Sequence, residues 1–288
     1  MKELFLLSTL LIISCSDNPN TSRATNSCPS AASAPSYLPL APAAQAARPL
    51  HANGISTTWN WQLNGTLNSS YNVNVYDVDL FETTAATITS LKASGKKVIC
   101  YFSAGSAENF RPDYGSFLST DIGKPLNGWP GERWLDVRSQ NVLDVMESRL
   151  ILAQSKGCDG VEPDNVDSQI QDTCFSATAN DQLAFNRAIA NSARSKGMSV
   201  ALKNDPNQVT ALVSYYDFAV TEQCYYYNEC SAYFPFSASG KPIFNAEYDV
   251  SYRSNPAQNA LCTYSNANSI KTIVFALGLD DTYRYQCF

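Results

Sequence analysis

Histidine is almost absent from this chain. Its 288 residues contain a single one, His51, and that scarcity removes several chemistries at once. A Ser-His-Asp triad, a His-rich zinc site and an HExxH protease each need histidines that are not there. Acid–base work near neutral pH therefore falls to carboxylates, lysine, tyrosine or cysteine. No CxxC pair occurs, which excludes a zinc ribbon. No glycine-rich phosphate loop follows the first apolar strand, which argues against an open, doubly wound nucleotide-binding sheet. Excess charge is also small. A net charge of −6 gives no reason to expect nucleic acid or an anionic membrane as ligand.

What is present begins with a targeting pattern. Lys2 precedes a short apolar run from Leu4 to Ile13, too short to span a membrane. The run ends in Ile12-Ile13-Ser14-Cys15, which resembles a bacterial lipobox with Cys15 as the lipidated residue. The expected organisation is a lipoprotein-type signal peptide over 1–15, a Ser/Ala/Pro-rich tether over 16–52, and one folded domain over 53–288. The chain is then exported to the bacterial cell envelope as a lipoprotein at the outer membrane or cell surface. An ordinary secretory signal is the alternative. Eight further cysteines suit an oxidising compartment. Cys224 and Cys230 are spaced to close a small loop, and Cys262 can tether Cys287. Cys100 and Cys158 fall at buried strands and read as free thiols.

Strand and helix patterns alternate through the folded part. Short apolar runs predict strands at Thr57–Gln62, Val73–Leu80, Lys97–Phe102, Gly160–Asp164, Ser199–Lys203, Phe218–Glu222, Pro242–Glu247 and Thr272–Leu277. Helical spacing predicts helices over Val142–Lys156 and Asp181–Lys196, each followed by glycine. Three segments, starting at Ser94, Ser155 and Ser195, repeat one plan: a helix ends at a glycine and a strand begins almost at once. Repeated helix-to-strand units imply parallel strands. Eight of them in one domain imply an α/β fold with a single (β/α)8 TIM barrel. The connection from Ser103 to about Arg138 is unusually long, and long strand-to-helix loops build the active-site face of a barrel.

Carboxylates gather where such a barrel puts its mouth. Asp77 and Asp79 lie in the second strand, Glu162 and Asp164 end the fourth, Glu222 ends the sixth, and Glu247 ends the seventh, with Asp249 just beyond. Like charges gathered in a cleft are costly unless used or neutralised. Glycoside hydrolysis needs such carboxylates in pairs: one attacks or stabilises the sugar cation, and the other protonates the leaving oxygen. Trp59, Trp61, Tyr76, Tyr101 and Tyr248 lie near strand ends as candidate sugar platforms, although most aromatics in such positions fill the core. Lys203 and Asn204, at the fifth strand end, are placed to hold hydroxyls, to orient Asp164 or to neutralise the acids.

Four stretches carry a specific resemblance: Val98-Ile99-Cys100-Tyr101-Phe102-Ser103-Ala104-Gly105-Ser106, the run from Gly157 to Asp167 with its centre Gly160-Val161-Glu162-Pro163-Asp164, Leu202-Lys203-Asn204-Asp205, and Asp217-Phe218-Ala219-Val220-Thr221-Glu222-Gln223-Cys224. The segment from Gly128 to Asp136 fits the same pattern. Together they resemble glycoside hydrolase family 114, the endo-α-1,4-polygalactosaminidases, from about residue 57 to about residue 250. The resemblance implies a TIM barrel, retention of anomeric configuration, endo action on a polymer containing α-1,4-linked galactosamine, and no cofactor or metal. It implies Asp164 as nucleophile and Glu222 as acid/base. On strand spacing alone Glu162 is the rival to Asp164, since it lies two residues back on the same side of the strand and one step deeper, and Glu247 is the rival to Glu222. Asp77, Asp79, Asp167, Glu247 and Asp249 would meet substrate ammonium groups. The implied partner is the polysaccharide, met by a monomer that touches membrane only through lipid at Cys15. Two other readings stay open: a metal-dependent phosphodiesterase using Glu162, Asp164 and Glu247 as ligands, and a surface protein that binds carbohydrate without cutting it.

Overall fold

A computed structural model describes residue 50 and residues 52–288. The segment 1–15, most of the tether, Cys15 and His51 lie outside the described residues. The strands are β1 (Trp59–Gln62), β2 (Val75–Asp79), β3 (Lys97–Ser103), β4 (Ser106–Glu108), β5 (Ile122–Pro125), β6 (Glu132–Leu135), β7 (Gly160–Asp164), β8 (Ser199–Lys203), β9 (Phe218–Glu222), β10 (Ile243–Glu247), β11 (Ile270–Phe275) and β12 (Arg284–Gln286). The helices are α1 (Ala85–Ala93), α2 (Gln140–Lys156), α3 (Ala179–Ser195), α4 (Val209–Leu212), α5 (Phe234–Ala238) and α6 (Ala257–Ala267).

Eight strands run parallel in the order β1-β2-β3-β7-β8-β9-β10-β11 and curl into a (β/α)8 TIM barrel. The expected strands are all present, with ends shifted by a few residues. The wall departs from the regular plan at its seam. No helix lies between β1 and β2, and β11 is followed by the antiparallel strand β12. There Arg284 bonds back to Asn60 and to the Trp59 carbonyl, while the Trp59 indole donates to the Lys271 carbonyl at 2.7 Å. These contacts join the first and last barrel strands.

The crossovers follow from local sequence. Gly157 ends α2 in the left-handed region at φ 87°, which turns the chain directly into β7. A capping box between Thr178 and Asp181 starts α3 two residues earlier than its apolar period alone predicts. The long connection after β3 is a small antiparallel sheet, β4-β6-β5, standing over the barrel mouth. It begins with Ala104 and Gly105, whose amides both donate to the Asp164 carbonyl. A Cβ on Gly105 would lie 1.7 Å from the Asn165 carbonyl oxygen, so only glycine lets this corner pass the end of β7.

Side chains alternate across the wall with period two. At the bottom of the interior, Trp59 stacks on Phe244 with ring centroids 4.8 Å apart. A larger apolar layer fills the space between strands and helices. The disulfides Cys224–Cys230 and Cys262–Cys287 match the spacing argument. The free-thiol expectation for Cys100 and Cys158 is overturned, because they form a disulfide. Register explains it: Cys100 pairs with Val161 on the neighbouring strand, which brings Cys158, three residues earlier, to a Cα separation of 6.1 Å. Cys174 is also disulfide-bonded.

Candidate active site

The parallel strands aim their C-terminal ends at one mouth, which opens into a cleft of about 990 Å³. At its floor the Lys203 ammonium is buried among three carboxylates, 3.0 Å from Glu162 Oε1, 3.3 Å from Asp164 Oδ1 and 3.3 Å from Glu222 Oε2. Burial alone would lower the Lys203 pKa. The carboxylates of Asp164, Glu162 and Glu222 together outweigh it and hold the lysine charged, well above its ordinary value. The Trp61 ring lies 4.4 Å from the ammonium and closes its remaining side.

Each cleft-facing carboxylate has its own set of donors. Asp164 accepts from the Tyr101 hydroxyl at 2.9 Å and from the Asn165 amide at 2.8 Å. Glu222 accepts from the Tyr248 hydroxyl at 2.6 Å and from the Asn204 side-chain amide at 3.1 Å. The Glu222 backbone amide donates in turn to Asn204 Oδ1 at 2.9 Å, so Asn204 grips this residue twice. Burial, followed by the adjacent carboxylates Asp164 and Glu222, pushes the hydroxyls of Tyr101 and Tyr248 well above the ordinary tyrosine pKa, which keeps both as donors. The residues just past these strand ends, Asn165, Asn204, Asp205 and Gln223, all have positive φ. Backbone held in that region by non-glycine residues clusters at functional sites.

The carboxylates nominated from sequence divide into several groups. Asp77 lies one layer deeper, fully buried against Glu162. Among the described residues, neither Asp77 oxygen nor Glu162 Oε2 meets a donor from another residue. Burial, followed by the Glu162 charge, raises the Asp77 pKa well above the ordinary carboxylate value, which favours one proton shared between the two carboxyls. Asp79 does line the cleft, but Arg111 clamps it at 2.6 and 3.0 Å. Glu247 points outward, away from the mouth, and accepts from the Asn245 side chain and the Tyr225 amide. Tyr76 also faces outward, donating to the Tyr71 carbonyl. Trp59 fills the barrel bottom. Asp249 binds the Ser251 amide outside the cleft. Glu162 and Asp164 share a face that Glu247 does not, so the three cannot converge on one metal ion.

The small sheet adds residues that sequence reasoning did not nominate. Glu132 lines the cleft and is bonded to the Ser106 hydroxyl and, at 3.1 Å, to the Asn165 side chain. Burial, only partly relieved by Ser106, pushes its pKa up to about 7. Glu108 shares Arg111 with Asp79. Exposed Phe110, Trp129 and Tyr227 stand along the rim. The run Gly128-Trp129-Pro130-Gly131-Glu132 was the available signal for Trp129 and Glu132.

Several raised carboxyls have a consequence for stability. Burial lifts Glu132 and Glu247 to about 7 and Asp205 to about 8. Each holds a proton in the folded state that the unfolded chain releases near pH 4. Their contribution to stability is therefore full below about pH 4 and is lost as pH rises through 7 to 8. The melting temperature is expected to be higher at pH 5 than at pH 8. A flat or rising profile over that interval would contradict these shifts.

The comparisons with known proteins agree with this geometry. The family model described as "Glycoside-hydrolase family GH114" matches residues 39–287. The chain is similar to Ega3 of Aspergillus fumigatus, solved in complex with galactosamine, at 38% identity and a TM-score of 0.78, over 84% of this chain and 99% of that one. It also resembles the glycoside hydrolase domain of PelA from Pseudomonas aeruginosa, at 14% identity and a TM-score of 0.62, over 77% of this chain and 96% of that one. A MutB variant solved with sucrose is 9% identical with a TM-score of 0.55, over 78% of this chain and 65% of that one. These last two likenesses concern the fold alone. No match is found among curated proteins. With a family model spanning nearly all of the folded chain, the protein belongs to glycoside hydrolase family GH114 and is a glycosidase.

Proposed function

We propose that the chain is a retaining, endo-acting hydrolase of polysaccharide containing α-1,4-linked galactosamine, with Asp164 as nucleophile and Glu222 as acid/base. The observation that carries this reading is the pair of cleft-facing carboxylates held on one buried ammonium. Each has an oxygen 3.3 Å from Lys203 Nζ, so those two oxygens are no more than twice that distance apart. That bound admits the separation of about 5–5.5 Å at which one carboxylate of a pair can itself attack the sugar.

In this scheme an Asp164 oxygen attacks the anomeric carbon as the bond to the leaving oxygen breaks. Glu222 gives that oxygen its proton. Glu222 then takes a proton from water, the water oxygen attacks the anomeric carbon, and Asp164 is released. The two positions suit these roles. Asp164 is the less exposed and is held on three donors. Glu222 is about twice as open, 29% against 15% for its side chain, so it can exchange protons with solvent. Lys203 offsets the charge of both.

The galactosamine complex of the similar Ega3 supports the substrate class. The acids available for substrate ammonium groups differ from those first expected. Asp77 is buried against Glu162, Asp79 and Glu108 are paired with Arg111, Glu132 is buried, and Glu247 and Asp249 face elsewhere, which leaves Glu82, Asp167 and Glu229 on the cleft wall. Partly exposed contacts of this kind contribute roughly 0.2–1 kcal/mol each and are screened over about 8 Å in physiological salt. The rate at low substrate is therefore expected to be higher on deacetylated than on fully N-acetylated polymer, and the difference should shrink with added salt. Equal, salt-independent rates on both polymers would mean that the wall acids do not choose the substrate. Lipidation at Cys15, with an envelope location, belongs to the same proposal, and labelling with a fatty-acid probe tests it.

A further inference from the structure

Between Glu222 and the end of the 3-10 turn at Tyr233, the chain makes a short loop closed by the disulfide Cys224–Cys230, with a sequence separation of 6. The loop is braced from several directions. The Gln223 amide donates to the Ala246 carbonyl at 2.7 Å, and the Tyr225 amide donates to Glu247 Oε1 at 2.9 Å. Within the loop, the Tyr227 amide returns to the Gln223 carbonyl at 2.9 Å and the Glu229 amide to the Cys224 carbonyl at 2.8 Å. The Tyr225 ring is the anchor, packed 5.9 Å from Tyr252 and 5.1 Å from Tyr264.

The two tyrosines that follow are treated differently. Tyr226 and Tyr227 are 51% and 61% exposed, and their rings meet edge to face at 5.0 Å and 88°. Tyr227 lines the cleft with Glu229 beside it, and Tyr226 stands behind Tyr227 as a prop. A disulfide, a buried carboxylate and an anchoring ring thus hold rigid a loop whose tip presents an aromatic face to solvent. Desolvating an exposed ring against a sugar face is favourable, and a ring already fixed in place loses little conformational freedom when it binds.

We infer that Tyr227, propped by Tyr226 on the Cys224–Cys230 loop, is a sugar-stacking subsite on the Glu222 side of the cleft. It holds a residue of the polysaccharide beyond the ones being cleaved. Buried Glu247, outside the cleft itself, serves the subsite by holding the Tyr225 amide. The inference rests on the proposed polysaccharide hydrolysis and adds a residue that chooses long chains over short ones.

The test compares kcat/KM on the galactosamine polymer with kcat/KM on the shortest oligomer the wild type cleaves. Tyr227→Ala is expected to lower the polymer value roughly three- to tenfold, through KM, and the oligomer value much less. Tyr227→Phe, which keeps the ring, should restore the polymer value and guards against a folding defect. Tyr285→Ala removes an exposed tyrosine outside the cleft and should leave both values unchanged. Wild-type kinetics in Tyr227→Ala, or equal losses on polymer and oligomer, would overturn the subsite. Failure of the underlying function reads differently, because the wild type would then release no oligomers at all.

Discussion

Asp164→Asn and Glu222→Gln are each expected to lower turnover on the polymer by about 10³-fold or more while the barrel stays folded. Both changes keep the shape of the side chain and remove only its ability to carry charge or exchange a proton. In the proposed roles, the change at Asp164 keeps the Tyr101 contact and removes the nucleophilic oxygen, and the change at Glu222 keeps the Tyr248 contact and removes the proton destined for the leaving group. Circular dichroism on both variants separates loss of chemistry from loss of structure. If either folded variant kept more than about a tenth of wild-type turnover, its carboxylate would not be in the reaction.

Lys203→Met is expected to have the largest effect on stability. Three carboxylates share this one ammonium, whose side chain is 1% exposed. Removing one member of a buried ion pair leaves charge uncompensated, at a cost of about 3–5 kcal/mol. Activity should fall as well, since Asp164 and Glu222 lose the group that holds them together. Adding Glu162→Gln to Lys203→Met should recover part of the stability, because it removes one of the stranded charges. Thermal melts of the two single variants and the double variant measure the coupling. A Lys203→Met protein as stable as wild type would contradict a charged, structural lysine.

The barrel was readable because its strands are short apolar runs entered abruptly from glycine-ended helices. Gly95, Gly157 and Gly197 all have positive φ, as the repeat implies. Phase was not readable. A strand buried on both faces carries apolar residues on each, so its pattern does not say which set points inward. The difference appears at β10, where the sequence places Glu247 at the mouth and its neighbour Tyr248 is the one that turns in to Glu222. It appears at β2, where Tyr76 faces out. In β7 the two-residue spacing of Glu162 and Asp164 puts both on one side of the strand at successive depths, and their shared contact with Lys203 agrees. Long-range partners were out of reach. Nothing local to Asp79 announces Arg111, which arrives from an antiparallel excursion about thirty residues later in the chain. Cys100 and Cys158 likewise read as separate thiols until the β3–β7 register brings them together.

The most direct measurement is mass analysis of the soluble products after the purified protein is incubated with partly N-acetylated α-1,4-galactosamine polymer. Endo cleavage by the Asp164–Glu222 pair predicts a ladder of short oligomers from the wild type and none from Glu222→Gln under the same conditions. Intact polymer after incubation with the folded wild-type protein, or an identical ladder from Glu222→Gln, would contradict the account.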